Sequence, residues 1–415
     1  MLARILWSFV KQGDLTVIGP GGKTHRFGST GTEPAVTIRL HDRNLEIKFL
    51  LNPRLYVGEA YMDGTLTVEQ GTIYDFLDLV SQNLRENPIN RLDAWAMRAH
   101  KLWRGLQQVN PLGRAQKNVA HHYDLSGALY EMFLDADRQY SCGYFTSPGV
   151  SLDEAQEAKK RHLASKLMLE SGQRVLDIGS GWGGLGIYLA RTAGVDVTGV
   201  TLSTEQHKVA EERAAAAGLS NHVHFHMQDY REVAGTFERI VSVGMFEHVG
   251  VPHYGEFFRK IYDLLPDDGV ALLHTIADRN PPTATNSWMR KYIFPGGYCP
   301  SLSEVLGVIE GCGLWVTDIE ILRLHYAETV RHWRERFLAN WDRVAGLYDE
   351  RFCRMWIFYL SASEVSFRHW GQMVVQIQLA KTVDAVPIIR DYMRDWEEAH
   401  TDVEPTAPRR MTSVG

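Results

Sequence analysis

Apolar and polar residues alternate in short runs through residues 13–51, at Leu15–Ile18, Val36–Leu40 and Leu45–Phe49, separated by Gly-Pro-Gly-Gly at 19–22 and Asp-Arg-Asn at 42–44. A period of two between turn residues predicts an antiparallel sheet. Ile73, Phe76, Leu77, Val80 and Leu84 then recur at helical spacing behind Thr72, a suitable N-cap. Residues 1–85 thus read as a small α+β domain. From residue 172 strand-like runs (Arg174–Ile178, Val195–Val200, Val223–His226, Ile240–Val243, Gly269–Leu273) alternate with helical ones (184–193, 203–217, 254–265). That order predicts an α/β fold, a doubly wound parallel sheet. Beyond residue 300, Val330, Trp333, Phe337, Trp341 and Val344 share a helical stripe, and the helices there are expected to cap the sheet's carboxyl end. Trp315–Leu324 and Gln372–Ala380 read as added edge strands, and 391–415, with Pro405 and Pro408, as a C-terminal tail.

Charge changes the picture at one place. The chain of 415 residues carries 44 Lys+Arg against 50 Asp+Glu, a balance that gives no reason to expect nucleic-acid binding. Residues 85–118 nevertheless hold seven basic residues (Arg85, Arg91, Arg98, Lys101, Arg104, Arg114, Lys117) and two acids, interleaved with Trp95, Met97, Leu102 and Trp103. This basic helical linker (86–118) fits either an anionic bilayer surface or a connecting helix with one solvated face. No apolar run is long enough to span a membrane, and the N-terminus lacks the pattern of a cleaved signal peptide. Four scattered cysteines without a C-x-x-C pair argue against a disulfide framework or a thiolate metal site. The expected setting is the cytoplasm, with peripheral contact at the inner face of the membrane.

Candidate chemistry begins at the strand Val175–Ile178, which runs into Gly179-Ser-Gly-Trp-Gly-Gly184 and a helix. Glycines at 179, 181 and 184 satisfy the spacing of a nucleotide-binding turn. Two features favour S-adenosylmethionine over NAD. Asp177, just before the glycines, suits the methionine ammonium and would repel a pyrophosphate. The second strand ends in Thr201-Leu-Ser-Thr-Glu-Gln206 without an acid for ribose hydroxyls, leaving Thr201 and Gln206 to serve them. Asp229 and Tyr230 follow the third strand, where an adenine amino group and ring would lie.

His122-Tyr-Asp-Leu125, Gln139-Tyr-Ser-Cys-Gly-Tyr-Phe145, Val175–Gly184, Thr201–Gln206, Gly244-Met-Phe-Glu-His-Val-Gly250, Leu273-His-Thr-Ile276, Tyr292-Ile-Phe-Pro-Gly-Gly297 and His325-Tyr326 together resemble the cyclopropane-fatty-acyl-phospholipid synthase family. The likeness runs from about 115 to 385, and the N-terminal region resembles the lipid-binding-like extension of the phospholipid-acting members. The resemblance implies a class I methyltransferase domain with a helical acyl-binding cap over 119–390. It implies attack of a cis alkene of a phospholipid acyl chain on the methyl of S-adenosylmethionine, then ring closure by proton loss from the carbocation to a bound bicarbonate ion.

Carried over to the anion are Cys142, Glu247, His274, Tyr326 and the backbone of Ile276, and to the cofactor Tyr140, Ser141, Asp177, Gly179, Gly181, Thr201, Gln206, Asp229 and Tyr230. No metal is implied; a homodimer is. The aromatics of 333–370 fit an acyl tunnel, with ordinary core as the plainer reading for each. Two positions depart from the family pattern: Ser180 replaces Cys, and Gly143 replaces Ala beside the anion site, which opens the fate of the carbocation. Methylation of the same alkene without ring closure is the near alternative. An inactive lipid-binding protein and an NAD dehydrogenase are the distant ones.

Overall fold

The computed structural model describes residues 2–29, 31–86 and 127–401. From residue 87 onward the basic linker, and the whole His122–Leu125 motif, lie outside the described residues. The chain divides into two compact units, one formed by Met1–Arg104, Thr283–Pro295 and Val330–Gln372, the other by Gly105–Pro282, Gly296–Thr329 and Met373–Gly415. The helices expected to cap the sheet are thus grouped with the N-terminal segment.

In the first unit β1 (Asp14–Ile18), β2 (Thr24–Gly28), β3 (Ala35–Leu40) and β4 (Leu66–Gln70) form a sheet in the order β2-β1-β3-β4. The expected antiparallel sheet is corrected in one respect: β1 pairs with β2 and β3 with β4 antiparallel, but β1 and β3 run parallel. The chain crosses to the far side of β1 after the β1–β2 hairpin, and that crossing reverses the expected sense. The alternating run at 45–49 is not a strand but the helix Leu45–Leu51. Only Leu45 is buried in it, and Ile47 is exposed, so its alternation faces no sheet core, and β4 takes the edge.

The predicted helix is present as Ile73–Glu86. Thr72 Oγ1 accepts from the Asp75 N–H at 3.2 Å while the Thr72 N–H donates to Asp75 Oδ2 at 2.8 Å, satisfying two donors at the helix start. Its buried Asn83 accepts from the N–H groups of Lys11 and Gln12 and donates to the carbonyls of Gln12 and Leu79. On another face of the unit, Gly58 in the helix Pro53–Met62 touches Trp288 and Phe358, while Glu59 accepts from Lys291 Nζ at 2.6 Å and the Tyr292 hydroxyl at 2.8 Å. Segments more than 200 residues apart therefore share one interior.

The second unit is a seven-stranded sheet, β10-β11-β9-β8-β5-β6-β7, from β5 (Arg174–Ile178), β6 (Asp196–Thr201), β7 (Val223–Met227), β8 (Arg239–Val243), β9 (Val270–Asp278), β10 (Trp315–Ile321) and β11 (Gln372–Ala380). β5 through β9 pair in parallel, as expected, and the order reverses at β5. The crevice at such a reversal, outside the carboxyl ends of the strands, is where open α/β sheets bind ligands. Of the two late strands only β10 is at an edge. β11 inserts between β10 and β9, and every residue of it but the first is buried. The expected tail is also corrected at its start, because Asp391–Ala399 is a helix whose Glu397 bonds His162 at 2.5 Å.

The close contact at Gly58 yields a stability test. An added Cβ would lie 2.5 Å from the Trp288 ring and 2.9 Å from Phe358. Gly58→Ala is expected to destabilise the protein by about 1–3 kcal/mol, read as a lower denaturation midpoint. An unchanged midpoint would mean that this interior is not packed as described.

Candidate active site

The glycine turn is built by conformation as well as by space. Gly179, Gly181 and Gly183 all have positive φ, a region that costs side-chain-bearing residues strain. The N–H groups of Gly179 and Ser180 both donate to the Val200 carbonyl, at 2.9 and 3.0 Å, tying the turn to the end of β6. A Cβ on Gly181 would meet nothing within 4 Å, whereas one on Gly179 would press on Met245, so open space lies at the middle glycine. Gly184 has a different reason. A Cβ there would collide with Asp137 Oδ2 and lie 2.5 Å from Gln139 Nε2, so the third glycine admits the loop that carries Tyr140, Ser141 and Cys142.

That loop is anchored by charges that sequence reading had missed. The helix Leu152–Leu167 buries Lys159, Lys160 and Lys166 almost completely. Lys160 Nζ pairs with Asp137 at 2.7 Å, and Arg213 pairs with the same carboxylate. Lys159 Nζ donates to Gln139 Oε1 at 2.6 Å and to Ser141 Oγ at 2.8 Å, and Gln156 Nε2 donates to the Ser141 carbonyl at 2.8 Å. In the string Ala-Lys-Lys-Arg-His these lysines look like a solvated face. The only hint was the pair Asp135 and Asp137 ahead of the Tyr-Ser-Cys motif.

Asp177, the penultimate residue of β5, is fully buried, and its Oδ2 has no partner among the described residues. Burial pushes its carboxyl up to about 7, with Lys159 acting in the opposite direction. The neighbouring Ser180 Oγ is likewise buried without a partner. Both fit a site that receives a polar, positively charged ligand. Thr201 and Gln206 meet at the end of β6, where Thr201 Oγ1 donates to Gln206 Oε1 at 3.2 Å and Ser203 caps the following helix. Asp229 is held differently from the simple expectation: both oxygens accept from the Arg231 guanidinium, at 2.9 and 2.8 Å. Tyr230 packs edge-on against Phe257, and Tyr140 edge-on against Tyr130 and Phe133.

Of the residues assigned to the anion, Glu247 follows β8, and His274 and Ile276 lie in β9 from the level of the last residue of β8 onward. Glu247 lies in the short turn Phe246–His248 after β8, and its Oε1 accepts from the Ile276 N–H at 2.6 Å. Its Oε2 is buried without a partner among the described residues. Burial raises the Glu247 carboxyl, opposed by the Ile276 bond. His274 lies in β9 opposite Val243 of β8. Its Nδ1 is 3.2 Å from Gln376 Nε2 and its Nε2 is buried and unpartnered. Burial holds it well below the usual histidine range, so the ring is neutral at pH 7.

Cys142, Ile276 and Tyr326 share one small apolar cluster with Leu322, Val374 and Tyr144. The Cys142 thiol donates to the Gly143 carbonyl at 3.3 Å and burial pushes it well up, so it is a thiol and not a thiolate. Trp333, Phe337 and Trp356 are buried in the first unit. A carboxylate oxygen and an imidazole nitrogen, both buried and without a partner among the described residues, with Glu247 tied to the backbone of Ile276 two residues beyond His274, are suited to a small ion with both a hydroxyl and acceptor oxygens, such as bicarbonate.

Comparison with known proteins places this geometry in a family. The mycolic acid cyclopropane synthetase family matches residues 111–377, and a domain of unknown function matches 9–87. The chain is 37% identical over 355 residues to the cyclopropane-fatty-acyl-phospholipid synthase of Escherichia coli K12, covering 85% of this chain and 90% of that protein. It is 40% identical over 333 residues to the tuberculostearic acid methyltransferase UfaA1 of Mycobacterium tuberculosis, covering 75% of each. The solved mycolic acid cyclopropane synthase CmaA1 in complex with SAH and CTAB superposes with a TM-score of 0.62 at 32% identity, over 66% of this chain and 99% of that one. The parallel sheet, the glycine turn and these likenesses agree: the chain belongs to the mycolic acid cyclopropane synthetase family of S-adenosylmethionine-dependent methyltransferases.

Proposed function

We propose that this enzyme converts the cis double bond of an unsaturated phospholipid acyl chain into a cyclopropane, with bicarbonate bound beside Glu247 and His274. The observation that carries the reading is the pair of buried, unpartnered atoms Glu247 Oε2 and His274 Nε2 in a methyltransferase with an equally unpartnered Asp177 at its glycine turn. A buried polar atom without a partner costs about 1–3 kcal/mol, which a polar ligand would recover. The alkene π pair forms a bond to the methyl carbon of S-adenosylmethionine, the carbon–sulfur pair stays on sulfur, and a carbocation remains. Loss of a proton from the transferred methyl leaves its C–H pair to close the ring.

Bicarbonate, when bound, supplies the base for that proton. Glu247 Oε2 would accept from its hydroxyl and His274 Nε2–H would donate to one of its oxygens, with the Cys142 thiol and the Tyr326 hydroxyl as further donors. The Ile276 N–H, expected to serve the anion as well, instead holds Glu247 Oε1, and the apolar groups around them limit capture of the cation by water. Asp177 holds the ammonium of the methyl donor, with Tyr140, Ser141, Gly179, Gly181, Thr201, Gln206, Asp229 and Tyr230 around the rest of it. Docking on the inner membrane face through the basic linker or the N-terminal domain, a cytoplasmic setting and a homodimer complete the reading; no described helix is long and apolar enough to cross a membrane. Methylation of the alkene without ring closure is a second reading, favoured by the 40% identity to a protein named as a tuberculostearic acid methyltransferase.

Three tests follow from this site. Incubation with S-adenosylmethionine and vesicles of a cis-monounsaturated phospholipid should add one CH₂ to the acyl chain and give upfield cyclopropane protons by NMR. Exomethylene or methyl-branch signals would select the second reading, and no mass gain would refute both. Glu247→Gln should lower kcat by about 10²–10⁴-fold while leaving cofactor affinity within a factor of about two; wild-type turnover in this variant would remove Glu247 from the chemistry.

The third test concerns pH. Asp177, raised to about 7 in the unliganded protein, must lose its proton to pair with an ammonium. Affinity for S-adenosylmethionine should therefore fall about tenfold per unit as pH drops from 7 to 5, and Asp177→Asn should abolish that slope in equilibrium dialysis. An equal slope in the variant would place the titrating group elsewhere.

A further inference from the structure

The residues that touch His274 on its far side belong to no step described above. Gln376 sits in the middle of β11, fully buried, with its amide between two groups. Lys166 Nζ lies 2.7 Å from Gln376 Oε1, and Gln376 Nε2 lies 3.2 Å from His274 Nδ1. Lys166 itself pairs with Glu320, a carboxylate that also meets His162 Nε2 at 2.7 Å, and Asp318 lies 3.8 Å away. On the other ring nitrogen of His162, Glu397 accepts at 2.5 Å. A row of hydrogen bonds thus runs from half-buried Glu397 on the C-terminal helix to fully buried His274.

The chemistry of the row has a direction. An ammonium group only donates; burial lowers Lys166 and its ion pair with Glu320 opposes that shift, so with Lys166 charged in that pair the Gln376 atom facing it must be the oxygen. The amide cannot be turned over without placing its NH₂ against the ammonium. Its NH₂ therefore faces His274, and the atom there must accept. A neutral imidazole that accepts at Nδ1 carries its one proton at Nε2.

We infer that Lys166 and Gln376 are positioning residues that fix His274 as the Nε2–H tautomer, so that its unpartnered nitrogen is a hydrogen-bond donor aimed at an acceptor ligand. This deepens the proposed function and rests on it for the ligand's identity, bicarbonate; the tautomer itself is independent of that reading. The opposite tautomer would present a lone pair to the anion's oxygens and repel them. The arrangement makes the second unit's two late strands part of the reaction: β11 carries Gln376, and β10 carries the Glu320 that holds Lys166.

The experiment is long-range proton–nitrogen NMR of the full chain labelled with ¹⁵N-histidine, the His274 signals being identified by their loss in His274→Gln. The wild type is expected to show His274 protonated at Nε2 and bare at Nδ1; a proton at Nδ1 would overturn the proposal on the wild type alone. In Gln376→Glu the facing atom becomes an acceptor beside the same ammonium, so His274 should acquire a proton at Nδ1. An unchanged tautomer there would show that Gln376 does not set it.

Turnover measured in bicarbonate-depleted buffer against added sodium bicarbonate should show a loss of about 10–100-fold for Gln376→Glu and a higher bicarbonate concentration for half-maximal rate, with S-adenosylmethionine affinity unchanged. A tautomer that switches while neither protein responds to bicarbonate would support the positioning role and refute the anion, and a switched tautomer with wild-type turnover would refute the role in catalysis.

Discussion

Three ammonium groups buried on one helix are the constraint on which the site depends. Removing a lysine charge from water costs several kcal/mol unless it is paired and hydrogen-bonded, and Leu152–Leu167 does this at Lys159, Lys160 and Lys166. The compensating groups come from separate stretches of chain. Asp137, Gln139 and Ser141 answer the first two lysines, and Glu320 and Gln376 answer the third. The helix consequently sets the position of the loop bearing Cys142 on one side and the far partner of His274 on the other. Gly184 follows from the same demand, since the Asp137 carboxylate takes the space that any side chain at 184 would need.

The polar groups left over are as informative as those that are paired. The helix pairs its own charges closely, yet Asp177, Ser180, Glu247 and His274 each retain a buried atom without a partner. Asp177 and Ser180 lie at or just beyond the carboxyl end of β5, Glu247 just beyond that of β8, and His274 in β9 level with the last residue of β8, the edge where this topology places ligands. Burial raises the carboxyls of Asp177 and Glu247 and lowers His274; in each case it favours the neutral form until a ligand arrives. Other buried groups are shifted too, Asp135 upward and His248 downward; it is the position of Asp177, Glu247 and His274 beside the glycine turn and the ends of β5 and β8 that makes them candidates for a binding site.

Much of this was legible beforehand, for reasons that differ by region. The parallel strands β5 to β9 announce themselves because buried strands are short apolar runs between helices, and Asp177, Glu247 and His274 sit on them or just past them. The N-terminal sheet was less legible. Five alternating residues at 45–49 satisfy a strand pattern and a short helix equally, and strand sense is decided by a crossing that leaves no local signal. β11 looked like an edge strand because insertion between β9 and β10 is a tertiary event. The helix at 391–399 was hidden by the prolines after it, although Tyr392, whose hydroxyl meets Gln378, and Trp396 gave it an apolar stripe. The buried lysines were illegible because their partners lie as far as 210 residues away in sequence.

The glycine that replaces alanine at position 143 shows how such long-range packing bears on chemistry. From sequence alone the missing methyl beside the anion site left the fate of the carbocation open. In the structure a Cβ at 143 would lie 3.2 Å from the Ala155 Cβ and 3.5 Å from Thr329 Oγ1, and the Gly143 N–H already donates to that hydroxyl at 2.9 Å. The space of the lost methyl has been taken up by the lysine-bearing helix, drawn in by Lys159 and Gln156 on the adjacent Ser141. Glycine here permits the close approach that buries those charges, and it leaves no void beside Cys142. Under the proposed function, the fate of the carbocation would then depend on where the base is held, beside Glu247 and His274, and not on slack in the loop opposite.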